Sequence, residues 1–151
     1  MILDKVIGNI NDLPSLYWKK IEVVELTWEE MGKRRLRKQT GAGREVGIVR
    51  TQEEPFRDGD IVYSDEDTLI VLQLQETAVL VVQPQDMKEM GTVCYHLGNR
   101  HCPVAVMGEI VVCPHDQTLT PMLDRLGVKY YHDKRRLAQD ELVGASHHSH
   151  D

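Results

Sequence analysis

The first half of the chain is a series of short apolar runs separated by polar turns. Residues 21–26 (IEVVEL), 44–50 (REVGIVR), 61–63 (IVY) and 68–74 (TLIVLQL) read as strands, the last being the most apolar. Turn signals separate them, at Thr40-Gly41-Ala42-Gly43 and at Asp58-Gly59-Asp60. Strands this short, spaced by roughly ten to fifteen residues, predict a small all-β domain. Gly41 and Gly43 suit a hairpin that joins the basic stretch before them to the strand after them.

The pattern changes after residue 74. Residues 77–83 (TAVLVVQ) predict a strand, interrupted by Pro84. Asp86 with Glu89 three residues on has the form of a capping box. A helix follows through Met87, Met90, Cys94 and Leu97. Residues 104–107 and 110–113 predict two strands around a Gly108-Glu109 turn. Thr118 or a near neighbour caps a second helix, whose Leu119, Met122, Leu123 and Leu126 share a face. Pro121 is tolerable there only in the first turn, and Gly127 is placed to end the helix. Residues 128–131 predict a last strand. The order is βαββαβ, the ferredoxin-like arrangement. The expected fold class is therefore α+β: a β-rich domain over 1–74, a ferredoxin-like domain over 75–143, and a flexible tail over 144–151 (GASHHSHD) with nothing apolar to bury beyond Ala145.

Composition narrows the picture. The chain of 151 residues is 41% hydrophobic and 28% charged, which is ordinary globular material. No apolar run approaches the roughly 20 residues needed to span a bilayer, and the N-terminus lacks a signal-peptide core, so the cytoplasm is expected and a membrane partner is not. The net charge of −6 argues against nucleic acid as a partner. Residues 33–38 (KRRLRK) are basic, but acids at Glu29, Glu30, Glu45, Glu53 and Glu54 surround them, so the solvated face of an amphipathic strand is expected, with a docking surface for an acidic partner as the alternative.

The potential metal ligands are unevenly distributed. All seven histidines and three cysteines lie between Cys94 and His150, and none precedes them. Cys94, Cys102 and Cys113 have no CxxC spacing, which argues against both a structural zinc site and a disulfide framework. If the first helix runs far enough, His101 falls on the same face as Met87, Met90, Cys94 and Leu97, either in the core or at a seam with another chain; Gly98 weakens this continuation. His96 would then diverge from His101 by roughly 140°, so the two are poor co-ligands within one chain. A second His101 from a symmetric dimer would supply a partner. His147, His148 and His150 form a His-rich tract suited to exchangeable nickel, copper or zinc. Nucleophilic catalysis is not supported, since no GxSxG, HExxH or phosphate-cradling glycine loop is present.

Several motifs together resemble a known family. Residues 95–101 read YHLGNRH, followed by Pro103, then His115-Asp116, Leu119 and Met122-Leu123-Asp124-Arg125-Leu126-Gly127. Arg34-Arg35, Arg44-Glu45-Val46-Gly47-Ile48 and Phe56-Arg57-Asp58-Gly59-Asp60 extend the likeness through the first half. The chain resembles UreE, the urease accessory protein family of nickel metallochaperones. The resemblance implies an N-terminal peptide-binding-like domain and a C-terminal domain that forms a homodimer. It implies Ni2+ bound by His101 and its symmetry mate, auxiliary ligands from His147, His148 and His150, and peripheral ones at His96 and His115. The partners it implies are the GTPase UreG and the urease maturation complex. Where some relatives carry HDH, this chain has His115-Asp116-Gln117, which puts a second site on that pair in doubt.

The expected function is thus a nickel chaperone without catalytic residues. The rival readings are a nickel-indifferent protein-binding module, a general zinc or copper binder, and a metal hydrolase that gathers His96, His101 and His115 within one chain. Imidazole binds metal only when neutral, so nickel affinity should fall as the pH drops below about 6.5. Nickel titrations at a series of pH values check this.

Overall fold

The computed structural model describes residues 1–13 and 19–145. It comprises two units, Met1–Gln75 and Glu76–Ala145. The first unit holds β1 (Ile2–Leu3), β2 (Gly8–Asn9), β3 (Lys20–Leu26), β4 (Arg35–Gln39), β5 (Glu45–Val49), β6 (Asp60–Ser64) and β7 (Thr68–Leu74). These form two sheets, ordered β2-β6-β7-β3 and β1-β5-β4. Strand β3 runs parallel to β7, and β1 runs parallel to β5. Val24, Leu26, Ile70 and Leu72 from one sheet meet Leu3, Val46 and Ile48 from the other in a common core with Met31 and Phe56. The alternate residues of β7, Leu69 and Val71, pack on the opposite face with Ile61, Ile10 and Leu13. Burial on both faces is why this strand reads as a continuous apolar run.

The expected glycine hairpin joins β4 to β5. The Thr40 N–H donates to the Arg44 carbonyl at 2.8 Å, and Gly43 takes φ 89°, a left-handed geometry that favours glycine. The hairpin is clipped to β3 through Glu22, which is almost fully buried. Its carboxylate accepts from the Thr40 hydroxyl at 2.8 Å and from Arg44 Nη2 at 2.9 Å, and the Gly41 N–H donates to the Val23 carbonyl at 2.9 Å. Strand β4 exposes Arg35 and Arg37 and half-buries Leu36 and Lys38, as expected of an amphipathic strand. Lys38 pairs with Glu30 at 3.1 Å. Strands β1 and β2 have two residues each, too few to show any period in the sequence.

Arg50 anchors the far end of this unit. Its side chain is 2% exposed. The guanidinium donates to the carbonyls of Gly32 at 2.9 Å, Gln52 at 2.7 Å and Glu53 at 2.6 Å. The charge thus satisfies backbone oxygens from two loops instead of facing water.

The second unit holds β8 (Thr77–Gln83), α1 (Met87–Asn99), β9 (Ala105–Met107), β10 (Ile110–Pro114), α2 (Leu119–Leu126) and β11 (Lys129–Arg135). The sheet order is β11-β8-β10-β9, antiparallel throughout. This is the ferredoxin-like βαββαβ arrangement. Leu80, Val82, Val111 and Cys113 on one face of the sheet pack with Val93 and Leu97 of α1 and with Leu119, Met122 and Leu123 of α2. The Asp86 carboxylate caps α1 by accepting from the Glu89 N–H at 2.8 Å, and Glu89 returns a bond to the Gln85 N–H at 3.2 Å.

Some local expectations are revised. Thr118 makes no side-chain cap to α2; its hydroxyl and N–H both donate to Asp116 Oδ1 at 2.8 Å, so the aspartate organises the turn. Val104 lies outside β9 because its N–H and carbonyl pair with Val143 at 2.9 and 2.7 Å. The last strand continues to Arg135, because β8 offers it a partner along its whole length. Among the described residues, no helix is long and apolar enough to cross a membrane.

Replacing Arg50 with alanine should strand the buried Gly32 carbonyl, release the loop carbonyls of Gln52 and Glu53, and lower stability by about 1–3 kcal/mol. Urea unfolding of the two proteins checks this.

Candidate metal centre

The centre is built around the end of α1. The helix stops at Asn99, and the chain closes it with a Schellman motif. The Cys102 N–H donates back to the Leu97 carbonyl at 3.0 Å, and the His101 N–H donates to the Gly98 carbonyl at 3.0 Å. This needs a left-handed residue between them, and His101 takes that role with φ 56°. It has the only positive φ among the described non-glycine residues. Such a backbone costs a non-glycine residue roughly 1–2 kcal/mol, although histidine is among the residues enriched there. Pro103 explains why the helix cannot continue, since it biases Cys102 away from helical geometry.

The expectation that His101 extends the apolar face of α1 is therefore corrected. The helix ends two residues too early, and the histidine is exposed. Met87, placed on that face, is 84% exposed, and the buried positions of the helix are Val93 and Leu97. Gly98 does not end the helix but sits inside its last turn. The neighbouring Arg100 reaches the Thr118 carbonyl at 3.3 Å, linking the cap to the start of α2.

The cysteines point inward. Cys94 is half-buried beside Met90, and burial pushes its thiol up. Cys102 packs on the core cluster that contains Leu97, the apolar contact that accompanies a Schellman cap. Its sulfur interacts with that of the buried Cys113, which draws the Cys102 thiol down and, together with burial, pushes the Cys113 thiol well up. Cys102 is thus occupied in the core while the preceding His101 faces solvent.

His96 is half-buried on α1, with its ring edge-on to Tyr95 at 5.5 Å. His115 is exposed at the end of β10, and its ring centroid lies 5.3 Å from that of His132 on β11. The apolar pattern predicts a last strand over 128–131, which stops short of His132; the alternation of Tyr130 and His132 along a longer strand is the signal that places it. Beside His115, the Thr118 N–H and hydroxyl lower the pKa of Asp116 from its ordinary value. Among the described residues, no three or more His, Cys, Asp or Glu side chains gather around a point that could hold a metal. His96, His101 and His115 accordingly do not form a one-chain hydrolase site. His147, His148 and His150, and the tail assigned to them, lie outside the described residues. The segment leading to them is placed: Val143 pairs with Val104, and Gly144 turns with φ 87° against Pro103.

The geometry separates the imidazole of His101 from its backbone. His101→Gly removes the ligand but relieves the left-handed residue, whereas His101→Ala keeps the strain. The glycine variant should be the more stable of the two by roughly 1 kcal/mol, read from urea unfolding of the metal-free proteins.

Comparison with known proteins gives a consistent answer over both units. Residues 3–75 match the N-terminal domain model of the UreE urease accessory protein, and residues 77–151 match its C-terminal domain model. The chain is 39% identical to the urease accessory protein UreE of Halalkalibacterium halodurans over 151 residues, covering 100% of both chains. It is 37% identical to that of Lysinibacillus sphaericus over 97% of this chain and 100% of the relative. It is 34% identical to that of Acetivibrio thermocellus over 99% of this chain and 100% of the relative. With both domain models matched in order and relatives aligned end to end, the chain belongs to the UreE urease accessory protein family.

Proposed function

We propose that this protein is a cytoplasmic, homodimeric nickel chaperone. It binds Ni2+ between His101 and the same residue of a second copy, and donates the ion during maturation of the urease active site. The domain division, expected at residues 74–75 and lying between Gln75 and Glu76 in the fold, separates a partner-handling half from a metal-handling half. The GTPase UreG and the urease maturation complex are the acceptors. His147, His148 and His150 add ligands, and His96 and His115 are peripheral ones.

The observation that carries this reading is the position of His101 within a family of urease accessory proteins. Its imidazole is exposed while its backbone is fixed by the α1 cap. One such imidazole is a weak ligand; two across a two-fold axis make a chelate that leaves coordination positions open for an acceptor. A chaperone needs that openness, because a closed set of four ligands would retain the ion. The tail assignment is supported by the Gly144 turn beside Pro103. His147 is three residues further on, a span of at most about 11 Å. Imidazole alone does not select nickel over copper or zinc, so metal supply and partner recognition set delivery.

Calorimetric titration of nickel into the wild type and into His101→Ala tests the proposal. The variant should lose the one ion shared between two chains, read as a loss of at least about tenfold in the affinity of the tightest site. A tightest site unchanged in the variant would overturn it.

A further inference from the structure

His132 is the one histidine within the described residues to which the chaperone reading gives no role. Its position relative to His115 follows from the sheet. Strands β10 and β11 flank β8 on either side. His132 pairs with Leu80, and the His115 N–H donates to the Ala78 carbonyl at 2.9 Å. Residues opposite one another in an antiparallel ladder share a face. Both imidazoles therefore lie on the face of Ala78 and Leu80, reaching toward each other across the central strand. Ala78 has too small a side chain to separate them. Their ring centroids stand 5.3 Å apart, with the ring planes inclined at 45°.

That separation matches two imidazoles on one ion. A metal–nitrogen bond of about 2.1 Å, plus about 1.1 Å from nitrogen to ring centre, puts each centroid roughly 3.2 Å from the metal. Two such rings subtending a near-tetrahedral angle have centroids about 5.2 Å apart. We propose that His115 and His132 form a second site, one within each chain, for a borderline divalent cation of the nickel, copper and zinc class.

The surroundings define its character. Tyr130 stands beside His132 at 6.2 Å between ring centroids, and its hydroxyl donates to Asp124 at 2.8 Å. Asp116 Oδ1 is taken up by Thr118, and the Asp133 carboxylate by the Lys134 N–H and Arg135. The donor set is two nitrogens completed by water, with both ring-bearing residues exposed. Hard cations such as magnesium and calcium prefer oxygen ligands and are disfavoured. A two-imidazole site exchanges its ion readily. His132 sits on β11, and His115 follows β10 directly with its N–H held by the Ala78 carbonyl, so little ordering is needed to bind.

This site rests on the reading of His115 as a peripheral ligand, to which the His115–His132 geometry adds His132, and does not depend on His101. The test uses the full chain carrying His101→Ala, His147→Ala, His148→Ala and His150→Ala, which removes the dimer-interface centre and its helpers. Nickel chloride and copper chloride are titrated into this background, and into the background with His115→Ala, His132→Ala or both added. The background should retain about one ion per chain, each single substitution should weaken binding at least about tenfold, and the pair should do no more than either alone. Substoichiometric paramagnetic Ni2+ should also broaden the ring-proton resonances of both His115 and His132. His132→Gln, which keeps a polar side chain on the strand, guards against a folding effect and should lose the ion likewise. Loss of all binding in the background, binding indifferent to His132, or broadening of His115 without His132 would overturn the site. None of these outcomes bears on the separate titration that tests His101.

Discussion

The left-handed turn that ends α1 is the constraint on which the functional end of this protein depends. Leu97 is buried in the core, so its carbonyl needs a partner there. The chain must also leave the helix before Pro103 and enter β9. The Schellman closure meets both demands: the Cys102 N–H satisfies Leu97, and the Cys102 side chain turns into the core. The residue between must take a positive φ and face outward, and that residue is His101. Packing of the core thus projects an imidazole into solvent from a backbone that is itself fixed. Strain of this kind, where glycine would serve the fold better, fits a residue kept for its side chain.

The same logic separates the three groups of potential ligands. The cysteines are drawn into the core, where burial pushes the Cys94 thiol up and the Cys102 contact, with burial, pushes the Cys113 thiol up, which makes both poorer ligands. The described histidines stay outside or at the margin, presented by a helix cap, a helix face, the end of β10 and β11. Among the described residues they do not build a closed cage within one chain. In the proposed function that incompleteness is useful, because a carrier must hold its ion against water but surrender it to a better-equipped acceptor. The β-rich unit uses its charge for structure instead: Arg50 gathers loop carbonyls, and Glu22 clips the β4–β5 hairpin to β3.

Most of the fold was legible from local pattern. Residues 68–74 and 77–83 are strands with the bounds their apolar runs suggest. The glycine turn at 40–43, the Asp86 cap and the Gly127 stop each occur where their chemistry demands. Apart from the turn before α2, where Asp116 takes the place of the expected Thr118 cap, and the exposed Met87, the main failures were non-local. Strands β1 and β2 exist because β5 and β6 offer them edges. Strand β11 runs past 131 because β8 continues beside it. The parallel pairing of β3 with β7 leaves no mark in the spacing of either run.

For the candidate centre the division is sharper. The sequence by itself determined which residues have the right chemistry, and the GNRH stretch singled out His101, because side-chain type and motif are properties of the chain. It could not determine that His101 leaves the helix, since that depends on a core carbonyl and a core cysteine closing the turn. Nor could it bring His132 to His115, seventeen positions apart, because strand pairing across β8 is decided by the register of a folded sheet. Tertiary structure decided direction and distance, and for metal ligands these count as much as identity.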